Sequence, residues 1–388
     1  NDDFSSYQWC CSYCRSIGND LSDLSYYCDR RYSKGIEASK DMEAYVFVSG
    51  MHLLETYGST YREVLKDGYK NVYVAYGLIN SGNMSYDLGD VVCQLTGYVQ
   101  NIRPDMIVIH GDRIDALAGA MVGALNNIRV AHIEGGELSG TIDESIRHAI
   151  SKFAHVHFVC NEEAKRRLMQ LGESEHQIYV IGSPDIDIML SSHLPTFEEA
   201  RERYEIPFEK YGILMYHPVT TEYEIIGKHV EELVNAVKES GRNYIVIYPN
   251  NDLGSEVILN AYRTLADETR YRLYPSTRFE YFLTLLKNAD FMIGNSSAGV
   301  RETSIYGIPA IDVGTRQKGR YSTEYSQNIQ HVSEDKDEIL QAIEHIEDFR
   351  KQGALFGKGN STKQFLEIVH DKNIWEHGIQ KVFIDRWG

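Results

Sequence analysis

Short apolar runs alternate with longer amphipathic segments along most of the chain. The runs rich in β-branched and aromatic residues predict β-strands at 44–48, 106–110, 130–133, 156–160, 178–181, 213–216, 244–248, 291–293 and 310–313. The segments between them predict helices, including 115–125, 144–153, 162–171, 222–239, 256–269 and 280–287. Nearly continuous apolar strands, each followed by a helix, are typical of parallel sheets covered on both faces. The pattern therefore predicts an α/β protein with two doubly wound, Rossmann-like domains and a cleft between them.

The 388 residues are too many for one ordinary core and suit two domains. A polar loop at 191–195 marks the expected boundary, so the first domain is predicted at 1–190 and the second at 191–388. Two helix-like stretches, 362–370 and 376–387, end the chain. In folds of this kind a terminal helix often returns to the first domain, and we expect that arrangement here.

Charge and composition narrow the possible partners. The net charge of −17 argues against a general nucleic-acid binder, whereas a few local arginines and helix N-termini can still hold a phosphate. No apolar run is long enough to span a bilayer, and the first residues lack the pattern of a secretory signal, so we expect a cytoplasmic protein without membrane contact. Cys11-Ser-Tyr-Cys14 has zinc-like spacing, but no second pair completes a site, and we predict neither a metal nor a cofactor.

Polar side chains follow two strands of the first predicted domain. The strand 106–110 ends in His-Gly-Asp-Arg, where Asp112 is either a helix cap or a base and Arg113 follows it. The strand 130–133 leads into Glu134 and a glycine-rich loop that contains Asp143, with Arg147 on the next helix. Paired carboxylates are what general acid/base chemistry needs, although Asp143 could simply cap that helix.

The second predicted domain has three polar segments at strand ends. His217 follows the strand 213–216, where a lone histidine is more often structural than catalytic. Residues 293–302 form a small-residue turn with Ser296 and Ser297, followed by Glu302 on a helix, which suits a diphosphate at a helix N-terminus. A tight turn with a serine cap is the competing interpretation. Arg316 lies in a basic loop that could bind phosphate or be merely solvated.

Taken together, these motifs are similar to those of the hydrolysing UDP-N-acetylglucosamine 2-epimerases of sialic-acid synthesis. The matching segments are Gly50-Met-His52, His110-Gly-Asp-Arg113, His132-Ile-Glu-Gly-Gly-Glu137, Ser139-Gly-Thr-Ile-Asp143, Ser145-Ile-Arg-His148, Gly294-Asn-Ser-Ser297 and Gly314-Thr-Arg-Gln317. The likeness extends from about residue 44 to the end. The segment 132–137 is the most specific, because related non-hydrolysing epimerases differ there.

The resemblance implies a glycosyltransferase-B-like fold with UDP in the cleft, in a homodimer or homotetramer. It implies anti-elimination of UDP through a 2-acetamidoglucal intermediate, followed by addition of water to give N-acetylmannosamine. The implied catalytic residues are Asp112, Glu134, Asp143 and His217. The implied substrate-binding residues are His52, Arg113, His132, Arg147, Gly182, Phe282 (as a uracil-stacking ring), Ser296, Ser297, Glu302 and Arg316.

One region departs from the family pattern. Members of the family open with an apolar strand and a Gly-Thr-Arg-Ala-Asp-Tyr-Gly/Ser-Lys loop, whereas residues 1–31 are rich in Ser, Tyr, Cys and Asp and predict no such strand. We hypothesise that a reading-frame shift has altered the region before about Tyr32; an intact frame in the source gene would contradict this.

Three other functions remain open at this stage. One is a glycosyltransferase on the same fold, and another is an epimerase acting on a different UDP-sugar, such as a 2,4-diacetamido-6-deoxy sugar. The third is a nucleotide-sugar sensor without catalytic activity.

Overall fold

The computed structural model divides into two compact units. It describes residues 7–13, 22–53, 61–77, 83–138, 142–249, 254–266, 268–318, 321, 326–353 and 357–385. One unit contains the described residues up to Ile188 together with the segment from 357 onwards, and the other runs from Met189 to residue 353. The predicted boundary after residue 190 lies next to this division.

The first unit is built on a seven-stranded, wholly parallel sheet with the order β3-β2-β1-β4-β5-β6-β7. Its strands are β1 Tyr7–Tyr13, β2 Met42–Val48, β3 Asn71–Val74, β4 Met106–His110, β5 Arg129–Ile133, β6 Val156–Val159 and β7 Ile178–Val180. Its helices are α1 Ser22–Glu37, α2 Tyr61–Lys66, α3 Met84–Ile102, α4 Ile114–Leu125, α5 Ile142–Phe153, α6 Glu162–Gln170 and α7 Pro184–Met189. All residues of β4, β5 and β6 are buried, as expected for a sheet covered on both faces.

The second unit repeats this plan with a six-stranded parallel sheet, in the order β10-β9-β8-β11-β12-β13. Its strands are β8 Gly212–Met215, β9 Tyr244–Ile247, β10 Tyr271–Tyr274, β11 Phe291–Gly294, β12 Ala310–Val313 and β13 Ile329–Val332. Its helices are α8 Phe197–Arg203, α9 Ile226–Glu239, α10 Ser255–Arg263, α11 Phe279–Lys287, α12 Glu302–Tyr306 and α13 Lys336–Glu344. The prediction of two Rossmann-like domains is therefore confirmed.

All nine predicted strands are present, and the described residues contain four more that were not predicted. Three of the four, β3, β10 and β13, lie at sheet edges and are only partly buried. Because an edge strand needs fewer apolar residues, its hydrophobic pattern is weak.

The prediction that residues 1–31 contain no strand is wrong, because the fourth unpredicted strand, β1, lies there. Tyr7–Tyr13 lies between β2 and β4 and pairs in parallel with both. The sequence YQWCCSY lacks the aliphatic run that we sought, but aromatic residues favour strands and cysteine behaves as a small apolar residue. A helix, α1, follows from Ser22.

The C-terminal segment belongs to the first unit. Helix α14, Ser361–His370, packs against α1, where the rings of Phe365 and Tyr32 are 4.5 Å apart and the Tyr32 hydroxyl donates to Ser361 Oγ at 3.2 Å. The prediction of a helix at 376–387 is wrong. A short helix, α15, covers Asn373–Glu376, and residues 377–385 are not helical. In the part of the chain that is described, no helix combines the length and apolarity needed to cross a bilayer.

Candidate functional site

In the first unit, the end of β4 approaches the residue that follows β5. His110, the last residue of β4, is buried, and its Nε2 lies 3.4 Å from Glu134 Oε2. Gly111 then turns the chain with a φ of +80°, a conformation that glycine adopts without strain, and its N–H donates to the Ile133 carbonyl. The turn leaves Asp112 and Arg113 at the carboxyl end of the sheet, where doubly wound folds bind ligands.

Glu134 is fully buried and is held from several sides. Its Oε1 accepts a hydrogen bond from the Ser183 hydroxyl at 2.9 Å and lies 3.6 Å from Cys160 Sγ. Its backbone has a φ of +64°, which is rare for a residue with a side chain. Its backbone N–H donates to the Phe158 carbonyl at 2.9 Å, so the sheet itself holds this unusual conformation.

Arg147 connects the two carboxylate-bearing loops. It lies on the inner face of α5 beside Ile146 and is almost fully buried. One guanidinium nitrogen donates to the Asp112 carboxylate, and the other donates to the Glu134 carbonyl at 3.1 Å. A buried charge-assisted pair of this kind holds both partners in fixed positions. The predicted site residues Asp112, Glu134 and Arg147 are thus brought together.

Asp143 and Arg113 form a second pair beside this group. Asp143 lies in the first turn of α5, not in the loop before it as the sequence suggested. Arg113 Nη1 donates to Asp143 Oδ1 at 3.3 Å, and both side chains are partly exposed.

The other predicted residues of the first unit are His132, Gly182 and His52. His132 is fully buried, with Nε2 at 2.8 Å from the Gly111 carbonyl and Nδ1 at 3.2 Å from Ser151 Oγ. Burial lowers its pKa to about 3, so the ring is neutral at neutral pH. Gly182, with a φ of +81°, immediately precedes Ser183. The side chain of His52 lies outside the described residues.

In the second unit, the ends of β8 and β11 are joined through Asn295. Gly294 has a φ of +132°, and a Cβ atom there would lie 2.0 Å from the Met215 carbonyl oxygen. The Asn295 side chain accepts from the His217 N–H at 2.6 Å and donates to the His217 carbonyl at 2.8 Å. Arg316 donates to the Asn295 carbonyl at 2.9 Å. The predicted residues His217 and Arg316 are therefore held by the same asparagine.

His217 is largely enclosed. Burial, and secondly the positive charge of Arg316, hold the pKa of His217 well below its usual value. A neutral imidazole of this kind can accept a hydrogen bond.

The remaining predicted residues of this unit lie on α11 and in the segment that begins at Ser296. Ser296 precedes a turn of 3-10 helix at Ser297–Gly299 and accepts from the Ala298 N–H, so it acts as a cap. Glu302 is the first residue of α12 and is buried. Phe282, on α11, exposes only 4% of its surface, so a stacked base would have to reach a face that is largely covered.

Sequence reasoning gave no individual role to three residues that hold the site together. His110 and Ser183 contact Glu134, and Asn295 binds His217. His110 and Asn295 lie within the recognised segments His-Gly-Asp-Arg and Gly-Asn-Ser-Ser, and Ser183 lies three residues beyond the end of β7. Their position near strand ends could have marked these three residues as candidates. Their partners could not be predicted, because the contacts join residues that are far apart in the sequence.

Comparison with known proteins gives a consistent result. Residues 34–370 match the family described as UDP-N-acetylglucosamine 2-epimerase. A Neisseria meningitidis serogroup B protein named UDP-N-acetylglucosamine 2-epimerase is 46% identical over 355 residues, which cover 90% of this chain and 93% of that protein. A Legionella pneumophila protein named UDP-N,N'-diacetylbacillosamine 2-epimerase (hydrolyzing) is 31% identical over 88% of this chain and 91% of its own length.

Solved structures share this fold. The crystal structure of UDP-GlcNAc 2-epimerase from Neisseria meningitidis bound to UDP-GlcNAc superposes with a TM-score of 0.76. The superposition covers 94% of this chain and 99% of that structure at 14% identity, so it supports the fold alone. The family match and the sequence identities over most of the length together show that this chain belongs to the UDP-N-acetylglucosamine 2-epimerase family.

Proposed function

We propose that the chain is a hydrolysing epimerase that converts UDP-N-acetylglucosamine and water to N-acetylmannosamine and UDP, for the synthesis of sialic (nonulosonic) acids. The observation that supports this best is the buried group formed by Asp112, Arg147 and Glu134. A buried carboxylate in a fixed position is the kind of group that transfers protons in enzymes.

The proposed reaction needs proton transfers in both of its steps. In the first step a base removes the C2 proton while the bond from C1 to the UDP oxygen breaks, which leaves 2-acetamidoglucal and free UDP. In the second step water adds its oxygen to C1 and C2 regains a proton on the opposite face, which gives N-acetylmannosamine. Asp112, Glu134 and Asp143 form the proposed acid/base set, and His217, whose neutral imidazole can accept a hydrogen bond, is a further candidate.

The nucleotide is assigned to the second unit. The Ser296 and Ser297 hydroxyls and the N–H groups of the turn that they begin suit the diphosphate, and Arg316 supplies a positive charge. Glu302, at the start of α12, is the proposed acceptor for the ribose hydroxyls.

The hydrolysing reaction is favoured over the non-hydrolysing one by the His-Ile-Glu-Gly-Gly-Glu segment at 132–137. Glu134, whose carboxylate accepts from Ser183 and whose carbonyl accepts from Arg147, lies within this segment. The name of the Legionella relative, which includes the word hydrolyzing, points in the same direction.

A second candidate substrate is a 2,4-diacetamido-6-deoxy UDP-sugar, because that Legionella relative is named for UDP-N,N'-diacetylbacillosamine. A glycosyltransferase would use its first domain for an acceptor molecule. The buried carboxylates of this chain suit proton transfer better.

The deciding experiment is an NMR time course of the full chain with UDP-N-acetylglucosamine in deuterated water. We expect free UDP and N-acetylmannosamine with deuterium at C2. UDP-N-acetylmannosamine as the product would show a non-hydrolysing epimerase. Turnover of the diacetamido analogue alone would favour the second substrate, and UDP binding without turnover of either sugar would contradict an enzymatic role.

The acid/base assignment is tested by Glu134→Gln and Asp112→Asn. Each variant keeps the shape of the side chain but removes a carboxylate, and we expect kcat to fall about 10²- to 10⁴-fold while UDP binding is retained. The matched control is Glu163→Gln on α6, which removes a partly exposed carboxylate that pairs with Arg167. Full activity of both site variants would overturn the assignment.

A further inference from the structure

Three potential metal ligands that the proposed reaction does not use meet in the second unit. Glu222 lies in the 3-10 helix Thr220–Ile225, His229 lies on α9, and Glu334 follows β13. His229 Nδ1 is 3.4 Å from Glu334 Oε1 and 3.8 Å from Glu222 Oε2. One ligand atom from each residue lies within 4.8 Å of the others. We call these residues the Glu222–His229–Glu334 cluster.

One carboxylate oxygen of this cluster has no hydrogen-bond donor among the described residues. Glu222 Oε2 is shielded from solvent, and none of the described residues donates a hydrogen bond to it. The other oxygen, Oε1, already accepts from the Thr315 hydroxyl at 2.5 Å. A buried carboxylate oxygen without a hydrogen-bond donor is costly, and a bound cation would remove that cost.

The charges of the cluster also favour a cation. Within the described part of the chain, His229 is the one basic side chain within 4 Å of either carboxylate. The Glu334 side chain is nine-tenths buried, and its Oε1 accepts from the Tyr216 hydroxyl at 3.3 Å. Two carboxylates that face one imidazole have a negative excess, which an ion of charge +2 balances.

We propose that the Glu222–His229–Glu334 cluster binds a divalent first-row metal ion such as Mn²⁺ or Zn²⁺. Metal ions held by oxygen and imidazole ligands at about 2.0–2.2 Å place those donor atoms roughly 3–4 Å apart. The distances of 3.4 Å and 3.8 Å from His229 Nδ1 to the two carboxylates lie in this range. Imidazole together with carboxylate suits these ions better than Mg²⁺ or Ca²⁺, which prefer oxygen ligands alone.

The site would hold the loop that contains Arg316. Thr315, which binds Glu222, directly precedes Arg316, and Arg316 donates to the Asn295 carbonyl. Gly314, at the start of this loop, has a φ of +83°, and a Cβ atom there would lie 1.9 Å from Glu334 Oε1. The metal would therefore fasten the 3-10 helix, α9 and the loop to one another. It has no part in the proton transfers proposed above.

The test is a Mn²⁺ titration of the full chain, without an affinity tag and without nucleotide, followed by the electron paramagnetic resonance signal of free Mn²⁺. Mn²⁺ is chosen because it discriminates against thiolates, so the cysteines near the N-terminus compete little. We expect one bound ion per chain, and at least tenfold weaker binding in His229→Ala and in Glu222→Gln. His345→Ala, which removes an exposed histidine beside Asp348, is the matched control and should bind as the unmodified chain does.

Two outcomes would overturn the proposal. One is the absence of Mn²⁺ binding by the unmodified chain at millimolar ion. The other is unchanged affinity in both cluster variants. Circular dichroism checks that each variant is folded, and Glu334→Gln replaces any variant that is not. Because no sugar nucleotide is present, the result is independent of the proposed epimerase activity.

Discussion

At Glu134 the chain accepts a backbone conformation that its residue type rarely adopts. A positive φ at a non-glycine residue costs on the order of 1–3 kcal/mol and persists only where neighbouring contacts hold it. Here the Phe158 carbonyl and the Arg147 guanidinium bind the Glu134 backbone, and Ser183 binds its carboxylate. Strain of this kind is concentrated at functional sites, which agrees with the proposed role of Glu134.

A second residue-scale feature is the buried His132, which should make the fold sensitive to acid. Its pKa is lowered to about 3 in the folded chain, so between pH 6.5 and 3 the unfolded chain binds a proton that the folded chain does not. The free energy of unfolding should therefore fall as the pH falls through this window. In His132→Gln the slope should be smaller by up to about 1.4 kcal/mol per pH unit.

Urea unfolding at several pH values between 7 and 4 measures this slope. Some slope will remain, because burial also lowers the pKa of His155 to about 4. His193→Gln, at an exposed histidine, is the control. An unchanged slope in His132→Gln would contradict the buried, neutral state assigned to His132.

At the scale of elements, the segment after α15 is held by tertiary contacts and not by a helix of its own. Lys381 Nζ donates to the Ser151 and Lys152 carbonyls at the C-terminal end of α5 and to the neighbouring Ala154 carbonyl, and it lies 2.6 Å from Glu173 Oε2. A cation at this place satisfies carbonyl groups that a helix end leaves open, and it complements the helix dipole. The sequence pattern at 376–387 suggested a helix because it reports local periodicity and not these distant acceptors.

Removing this cation should weaken the first unit. In Lys381→Met we expect the free energy of unfolding to fall by about 2 kcal/mol, because several carbonyls and Glu173 lose a partly buried partner. Urea denaturation measures the change, and limited proteolysis should cut the C-terminal segment faster. Lys363→Met, at an exposed lysine on α14, is the control and should change little. Equal stability of both variants would refute the role of Lys381.

At the scale of the whole molecule, the two units differ in chain continuity. The described residues of the second unit form one stretch, whereas the first unit needs the segment from 357 onwards in addition to the residues before Met189. The second unit has its own extensive core around Leu214, Val246 and Phe291. Part of the first unit's core, in contrast, includes Phe365, Val369 and Ile374 from the C-terminal segment.

We therefore expect a fragment of residues 189–355 to fold alone, with a cooperative urea transition and a near-ultraviolet circular dichroism spectrum. A fragment of residues 1–188 should fold only when the segment 356–388 is supplied. Gel filtration and circular dichroism of the separate and mixed fragments test this. A stable, cooperative fold of residues 1–188 alone would show that the C-terminal helices are dispensable.

Most of the architecture was predictable because strands such as β4 and β12 are buried on both faces and therefore appear as continuous apolar runs. The central strand β1 was missed because it lacks aliphatic residues, and the match to the family begins only at residue 34. Pairing with β2 and β4 identifies it as a strand, and that pairing is visible only once the sheet is assembled.

The sequence by itself determined the two parallel sheets, the family resemblance and the polar residues at the strand ends, because periodicity and short motifs are local properties. Tertiary structure alone decided which of those residues meet. Glu134 contacts Ser183, His217 is bound by Asn295, and Glu222 approaches Glu334 across more than a hundred residues of chain. The physical reason is that a hydrogen bond or an ion pair depends on distance in space. Long-range packing sets that distance, and no local pattern records it.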